Sequence, residues 1–161
     1  MNIFASSTCP IQSAINLDTK RQIKMTTESV QILSSVLRNY YNVDDIDLYK
    51  KTHVKHPCVI WASQNQSNFE WLIAHAQALA NEYTKKYHKT HKASLKLSTI
   101  KKYINVLPQG QLTKFANCTQ DPKLKLNFQH LDNPHQAYDL YVKGKIGKLS
   151  ESEMLLNNWK G

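Results

Sequence analysis

Two long segments of the chain place apolar side chains at the three- and four-residue spacing of an α-helix, and this pattern restricts the fold more than any other feature. The segments run from about residue 19 to 41 and from about residue 67 to 87, and each spacing predicts one buried face. No segment shows the alternation of apolar and polar residues that a half-buried strand requires. The sequence therefore predicts a mainly α fold, a single compact domain in which two long helices pack together among shorter helices and long loops.

The apolar stripes also predict which side chains of the two long helices are buried. In the first helix they are Ile23, Thr27, Val30, Leu33, Leu37 and Tyr40. In the second helix they are Phe69, Leu72, Ile73, Ala76, Ala80, Tyr83 and Tyr87.

Capping patterns predict where the helices begin. Ser67 and Glu70 have the spacing of a capping box that starts the second long helix. Short helices are predicted at about 10–17, from Pro57, at 98–106 with Ser98 as its cap, from Pro134 after Asn133, and from Ser150 with Glu153. Residues 108–132 have little periodicity and are predicted to be a long surface loop.

The size and apolar content of the chain suit one domain over residues 1–161. The chain has 161 residues, and 41% of them are hydrophobic, which is enough for a core. No apolar run approaches the roughly 20 residues that a membrane span needs. The first residues lack a basic segment and a long apolar stretch, so we expect no signal peptide, no membrane association and a cytoplasmic location.

The charge of the chain predicts an anionic partner. Lys and Arg number 21 against 12 Asp and Glu, a formal net charge of +9. Nucleic acid is the simplest such partner, although a basic protein without one is the alternative. Arg21 and Arg38 are the only arginines, and lysine suits phosphate contact better than base reading. We therefore expect contacts to the DNA backbone, from these residues: Lys20, Lys24, His56, Lys85, Lys86, His88 and His91.

The sequence offers little for a cofactor or a metal. Four glycines are too few and too scattered for a dinucleotide or P-loop site, so we expect no cofactor. Cys9, Cys58 and Cys118 form no CxxC and are predicted to be reduced, at least one of them buried. Two histidine pairs, His53 with His56 and His88 with His91, have metal-ligand spacing, but they lie among lysines that would repel a cation, so we expect no metal. Cys58 and His56 are expected to point to opposite sides of an extended segment.

One polar stripe of the first long helix invites a functional interpretation. Arg21, Lys24, Glu28 and Gln31 are spaced three or four residues apart and share one side. The stripe is either a solvated ion pair without function or a carboxylate held among cations for chemistry. On the second long helix, Trp71, His75 and Glu82 form an offset stripe, which is either a second site or a partly buried aromatic with polar neighbours.

Four stretches of the chain together resemble a known family: MNIF, TKRQIKMTTESVQIL, HPCVIWASQNQSNFEWL and ALANEYTKKYHKTHKAS. They are similar to small phage-type proteins that begin M-N-I-F and carry D-K-H-V-V-K-M-x-x-E-T-A-Q, H-P-C-x-x-W, N-x-x-W-L and E-Y-T-x-R-Y-x-K-x-H. The match covers most of residues 1–95, and more weakly AYDLYVKGK. That pattern in turn resembles the phage pyrimidine-dimer DNA glycosylase/AP-lyase family, whose members are small, basic and mainly helical.

The resemblance implies a set of catalytic residues. In that family an N-terminal α-amine attacks the sugar C1′, and a glutamate on the first long helix assists. Glu28 falls at the place of that glutamate, Arg21 at the place of a histidine and Thr19 at the place of an aspartate. Asn2 is too large for ordinary removal of the initiator methionine, so the nucleophile would be the amine of Met1. An α-amine is partly unprotonated near neutral pH.

The resemblance leaves three functional interpretations. The first is a DNA glycosylase and AP lyase acting on damaged or modified bases, a monomer in the cytoplasm of an infected cell, with Met1, Glu28 and Arg21 as catalytic residues. The second is a non-enzymatic phage protein that binds nucleic acid or a host protein, which the missing aspartate and histidine favour. The third is an enzyme acting on a small phosphorylated substrate, which a deep and narrow pocket beside Glu28 would favour.

Overall fold

The structure, a computed structural model, describes residues 1–160 and confirms the mainly α prediction. The helices are α1 (Pro10–Ile15), α2 (Thr19–Tyr40), α3 (Pro57–Ser63), α4 (Gln66–Tyr87), α5 (Leu97–Lys101), α6 (Pro134–Lys145) and α7 (Glu151–Met154). Two 3₁₀ helices cover Lys92–Lys96 and Ile104–Val106, and two strands, β1 (Gln120–Asp121) and β2 (Leu126–Asn127), pair antiparallel. Among residues 1–160, no helix is both long and apolar enough to cross a membrane.

The long helices α2 and α4 pack against each other, as their apolar stripes predict, except that Tyr83 is half-buried and Tyr87 is exposed at the end of α4. Val30, Leu33 and Leu37 of α2 are fully buried, whereas Ile23 and Thr27 are half-buried and Tyr40 is exposed. The predicted stripe was wrong at those three positions because α2 also packs against α3, α5 and the first 3₁₀ helix. A helix covered on several sides buries more than one stripe. Its buried residues therefore include small polar ones: Gln22, Thr26, Ser29, Ser34 and Ser35.

Two of the predicted helix starts are corrected by the structure. Helix α4 is capped by Asn65, whose side-chain oxygen accepts from the Asn68 N–H at 2.9 Å. Ser67 makes no capping box because its hydroxyl donates instead to the Gly110 carbonyl. The predicted helix at 98–106 is divided into α5 and the 3₁₀ helix Ile104–Val106, and Ser98 bonds to the Leu95 carbonyl rather than capping a helix. The other predicted starts, at Pro10, Pro57, Pro134 and Ser150, are confirmed.

The segment 108–132 is more than the surface loop that its weak periodicity predicts. It contains the β1–β2 hairpin, and Phe115, Thr119 and Phe128 are buried in it. Phe115 stacks on Trp61 with ring centroids 4.4 Å apart. The segment therefore forms part of the core, and its burial comes from isolated aromatic contacts that leave no periodic pattern in the sequence.

The N-terminal segment, residues 1–9, belongs to no helix or sheet, and residues 2–5 within it are buried. A buried backbone without regular structure needs hydrogen-bond partners from side chains. Three ring N–H groups, two from α4 and one from α6, donate to backbone carbonyls here. Two of these carbonyls belong to the N-terminal segment, and the third belongs to Pro10, the first residue of α1. The bonds are Trp71 Nε1 to Thr8 O at 2.8 Å, His75 Nδ1 to Pro10 O at 2.9 Å and His135 Nδ1 to Ala5 O at 2.8 Å.

The buried ring of His75 makes the stability of this packing sensitive to acid. His75 is completely buried, and this desolvation lowers its pKa from 6.5 to about 4. The folded protein therefore resists protonation between these values, whereas the unfolded chain takes up the proton. Stability contributed by the neutral ring is present above pH 6.5 and is lost as the pH falls toward about 4.

We expect the free energy of unfolding to fall by roughly 2 kcal/mol more between pH 7 and pH 5 in the parent protein than in the His75→Asn variant. Asparagine retains a donor for the Pro10 carbonyl but does not titrate. Urea unfolding at both pH values measures the difference. The His88→Asn variant, at an exposed left-handed helix cap that tolerates asparagine, is the matched control and should keep the pH dependence of the parent. An unchanged pH dependence in His75→Asn would contradict the assignment.

Candidate active site

A cavity of about 570 Å³ lies between the N-terminal segment, the first turns of α2, the start of α3 and the β1–β2 hairpin. Its walls include Met1, Glu28 and His56 from the first part of the chain and Asp121, Tyr141 and Lys145 from the last part. A cleft of this size is ordinary for a small-molecule or nucleotide site.

The N-terminal amine lies beside a carboxylate in this cavity. The Met1 nitrogen is 3.4 Å from Glu28 Oε1. The Met1 side chain is 2% exposed while the residue as a whole is half-buried, so its accessible part is the backbone end. The second oxygen, Glu28 Oε2, is buried and has no hydrogen-bond partner among residues 1–160. A buried carboxylate oxygen without a partner is costly, and such groups are concentrated at functional sites.

Asn2 and Phe4 fix the position of the amine. The Asn2 side chain donates to the Cys118 carbonyl at 3.0 Å and accepts from the Ile3 N–H at 2.8 Å. Phe4 has a left-handed backbone, with φ of 56°, and its ring stacks on Tyr141 at 5.9 Å. A non-glycine residue in this conformation costs about 1–2 kcal/mol, and its persistence indicates that the surrounding packing holds it there.

The cavity is lined by more cations than anions. Lys20 and Lys24 are exposed at its edge, and Arg21 is paired with Asp18 at 3.0 Å. In the C-terminal part of the lining, Lys145 Nζ lies 2.6 Å from Asp121 and lowers the pKa of that carboxyl by hydrogen bonding. The excess of positive charge suits a phosphate-bearing ligand.

The structure brings together some of the sequence-predicted site residues and separates others. Met1, Lys20, Arg21, Lys24, Glu28 and His56 line the cavity. Lys85, Lys86, His88 and His91 do not. Lys86 bonds to Thr19 and Gln22, His91 bonds to the Ile23 carbonyl, and Lys85 pairs with Glu82. The bonds of Lys86 and His91 tie the end of α4 and the residues that follow it to α2. The Lys85–Glu82 pair lies within α4.

Trp71, His75 and Glu82 do not form a second site together. The Trp71 and His75 rings are buried and stacked at 5.2 Å, and both donate to the N-terminal segment. Glu82 pairs with Lys85 at 3.3 Å near the other end of α4. The two rings therefore act as supports for the residues that carry the amine.

His56, Cys58 and Cys118 meet at the cavity wall, which corrects the expectation that His56 and Cys58 point apart. His56 caps α3, and its Nδ1 accepts from the Cys58 N–H at 3.1 Å. The Cys58 and Cys118 sulfurs lie 3.9 Å apart. Hydrogen bonding between them raises the pKa of Cys58 and lowers the pKa of Cys118, while burial lowers the pKa of His56. The cysteines are reduced and Cys58 is buried, as predicted.

The sequence analysis did not predict the residues that the C-terminal part of the chain contributes to the cavity. Cys118, Asp121, Tyr141 and Lys145 lie 117 to 144 residues from the amine in the chain, and no spacing pattern connects them to it. The resemblance of AYDLYVKGK to the phage-type pattern marks the segment of Tyr141 and Lys145. It does not mark the hairpin.

The fold and the cavity define a class: a small, basic, mainly α protein that holds an N-terminal amine against a buried carboxylate in a cationic cleft. The family model described as pyrimidine dimer DNA glycosylase matches residues 1–95, more than half of the chain. The protein belongs to that family. Searches of curated proteins and of solved structures found no match.

We expect Asn2→Ala to destabilise the protein by roughly 1–2 kcal/mol, because it leaves the Cys118 carbonyl and the Ile3 N–H without partners. Urea unfolding measures the loss. Asn16→Ala is the matched control, since its side-chain bonds, to Ser6 and Gln12, are exposed, and its effect should stay within about 0.5 kcal/mol. Equal effects of the two substitutions would refute the anchoring role of Asn2.

Proposed function

We propose that the protein is a DNA glycosylase with AP-lyase activity, acting on damaged pyrimidines such as pyrimidine dimers. The observation that carries the proposal is the Met1 amine held 3.4 Å from Glu28 inside a cationic cavity. Membership in the pyrimidine dimer DNA glycosylase family supports it. An amine nucleophile with an adjacent carboxylate is the arrangement that imine chemistry at a sugar carbon requires.

The proposed reaction begins when the unprotonated Met1 amine attacks C1′ of the damaged nucleotide. The new N–C1′ bond forms, the bond from C1′ to the base breaks, and the base takes up a proton; in a dimer it stays joined to the neighbouring pyrimidine. The sugar ring then opens to an imine between Met1 and C1′. The imine acidifies the C2′ hydrogen, and its removal expels the 3′ phosphate and cleaves the strand.

Glu28 has two roles in this proposal. Its Oε1 contacts the amine and favours the positive charge that develops on nitrogen and on the sugar at C1′. Its Oε2 has no partner among residues 1–160 and is available to accept a proton. Burial strengthens both interactions, because fewer water molecules screen the carboxylate.

The cations at the edge of the cavity suit a DNA backbone. Lys20 and Lys24 are exposed, and Lys24 lies one turn before Glu28 on α2. Contacts from these side chains to phosphates flanking the lesion would guide the damaged nucleotide toward the amine. Enzymes that act on bases in duplex DNA extrude the target nucleotide into a pocket, and the cavity of about 570 Å³ is large enough for one.

Thr19 and Arg21 stand where the family pattern has an aspartate and a histidine, and neighbouring residues partly replace the missing groups. Asp18, one residue before Thr19, supplies a carboxylate that pairs with Arg21 at 3.0 Å. Arg21 lines the cavity from the same side as Lys20. A cation therefore lines the same cavity as the Met1–Glu28 pair, although it is an arginine in place of a histidine, and its aspartate partner is not among the lining residues. The Met1–Glu28 pair in this cavity favours an active enzyme over a protein that only binds DNA.

We expect borohydride to trap a covalent adduct between the parent protein and duplex DNA that contains an abasic site or a pyrimidine dimer. Peptide mapping should place the adduct on the Met1 amine. Glu28→Gln should slow adduct formation about 10²–10⁴-fold. Glu70→Gln changes an exposed carboxylate outside the cavity and should react like the parent.

Absence of an adduct and of strand cleavage in the parent would overturn the proposed enzyme. A steep salt dependence of DNA binding in that case would select the non-enzymatic interpretation. An adduct on Met1 that forms equally fast in Glu28→Gln would overturn only the role of Glu28. Circular dichroism of each variant separates loss of chemistry from loss of fold.

We expect Lys20→Ala and Lys24→Ala each to weaken DNA binding and to reduce by about 1 the slope of log affinity against log salt concentration. Each side chain is proposed to neutralise about one phosphate. Fluorescence anisotropy over a salt series measures the slope. Lys92→Ala, at an exposed lysine outside the cavity, is the control and should leave the slope nearer that of the parent. Equal slopes for all four proteins would contradict DNA contact at this edge.

A further inference from the structure

We propose that His56, Cys58 and Cys118 bind a zinc ion at the wall of the cavity, with one coordination position left open toward the cavity. The three residues lie on two segments of the chain, the start of α3 and the stretch before β1. Their ligand atoms all lie within 4.8 Å of one another. The inference concerns metal binding alone and does not depend on the proposed glycosylase activity.

The separation of the two sulfurs favours a shared metal over a disulfide. The Cys58 and Cys118 sulfurs are 3.9 Å apart. Two sulfurs bound to one tetrahedral zinc, each at about 2.3 Å, lie about 3.8 Å from each other. A disulfide requires about 2.05 Å between the sulfurs. The pair is therefore already spaced for zinc, whereas bond formation would require both side chains to move.

The donor set and its surroundings suit a divalent ion. Two thiolates balance the charge of zinc, so the lysines near the cavity do not oppose a bound ion. His56 is partly buried at the cavity wall and offers an imidazole nitrogen, a usual zinc ligand, to the same point as the two sulfurs. Sites with two cysteines and one histidine and an open position occur among catalytic zinc centres.

Burial of the three residues determines where the open position faces. Cys58 is 1% exposed and lies behind the wall, whereas His56 and Cys118 are half-buried and line the cavity. An ion between them would be covered on the Cys58 side and accessible from the cavity. The fourth ligand would then be water or a group of the bound substrate.

Binding requires one local change. His56 Nδ1 now accepts the Cys58 N–H, and coordination through either ring nitrogen gives up that capping bond. Loss of one helix cap is a small cost beside the affinity of two thiolates for zinc. His56 should therefore be the weakest of the three ligands.

Zinc titration of the reduced full chain, in competition with a chromophoric chelator, tests the proposal. We expect the parent and Cys9→Ser to bind one zinc ion per chain, because Cys9 is exposed and outside the cluster. Cys118→Ser should weaken binding by at least about 100-fold, and His56→Gln by about 10-fold. Cobalt in place of zinc should give thiolate-to-metal charge-transfer absorption in the parent that is lost in Cys118→Ser.

Any of three results would overturn the site: the parent does not bind zinc stoichiometrically, Cys118→Ser binds zinc as tightly as the parent, or the cobalt spectrum of the parent lacks thiolate bands. Cys118 is half-buried, so its serine variant is expected to fold, and thermal unfolding of the metal-free proteins checks this. Cys58→Ala provides a second variant, and retention of parental affinity in that variant would also refute the proposal.

Discussion

The burial of the first residues of the chain is the interaction on which the candidate site depends. An irregular buried segment inside a helical protein has no helix or sheet partner for its backbone, so side chains must supply the hydrogen bonds. Trp71, His75 and His135 do so from two helices. With the segment held in this way, the amine of Met1 lies against Glu28 instead of moving freely in water.

The cavity joins two parts of the chain with different roles. The part that matches the family model, residues 1–95, supplies the amine, Glu28 and the cations of α2. The remainder supplies the other wall residues, through the β1–β2 hairpin and α6. Because the wall contacts whatever enters the cavity, we expect substrate choice to depend on this second part. The Cys58–Cys118 pair lies where the two parts meet.

The sequence predicted the helices well where a local signal exists. Proline and asparagine positions marked the starts of α1, α3 and α6, since these residues act on their own backbone. The prediction failed at Ser67, where the serine hydroxyl bonds to Gly110, 43 residues away, and Asn65 caps the helix instead. It failed again in the segment 108–132, where Phe115 and Phe128 are buried by contacts distant in the chain.

By itself the sequence determined the helical class, the positive charge and the stripe that puts Glu28 among cations on α2, because these depend on spacing and composition. The resemblance of its motifs to the family indicated the Met1 amine as the nucleophile. Tertiary structure alone decided that the Met1 amine contacts Glu28 and that Cys118 approaches Cys58. It also decided that Lys86 and His91 bond to α2 instead of lining the cavity. Those contacts join residues up to 68 positions apart. The periodicity of a sequence reports local secondary structure and does not predict which distant residues will touch.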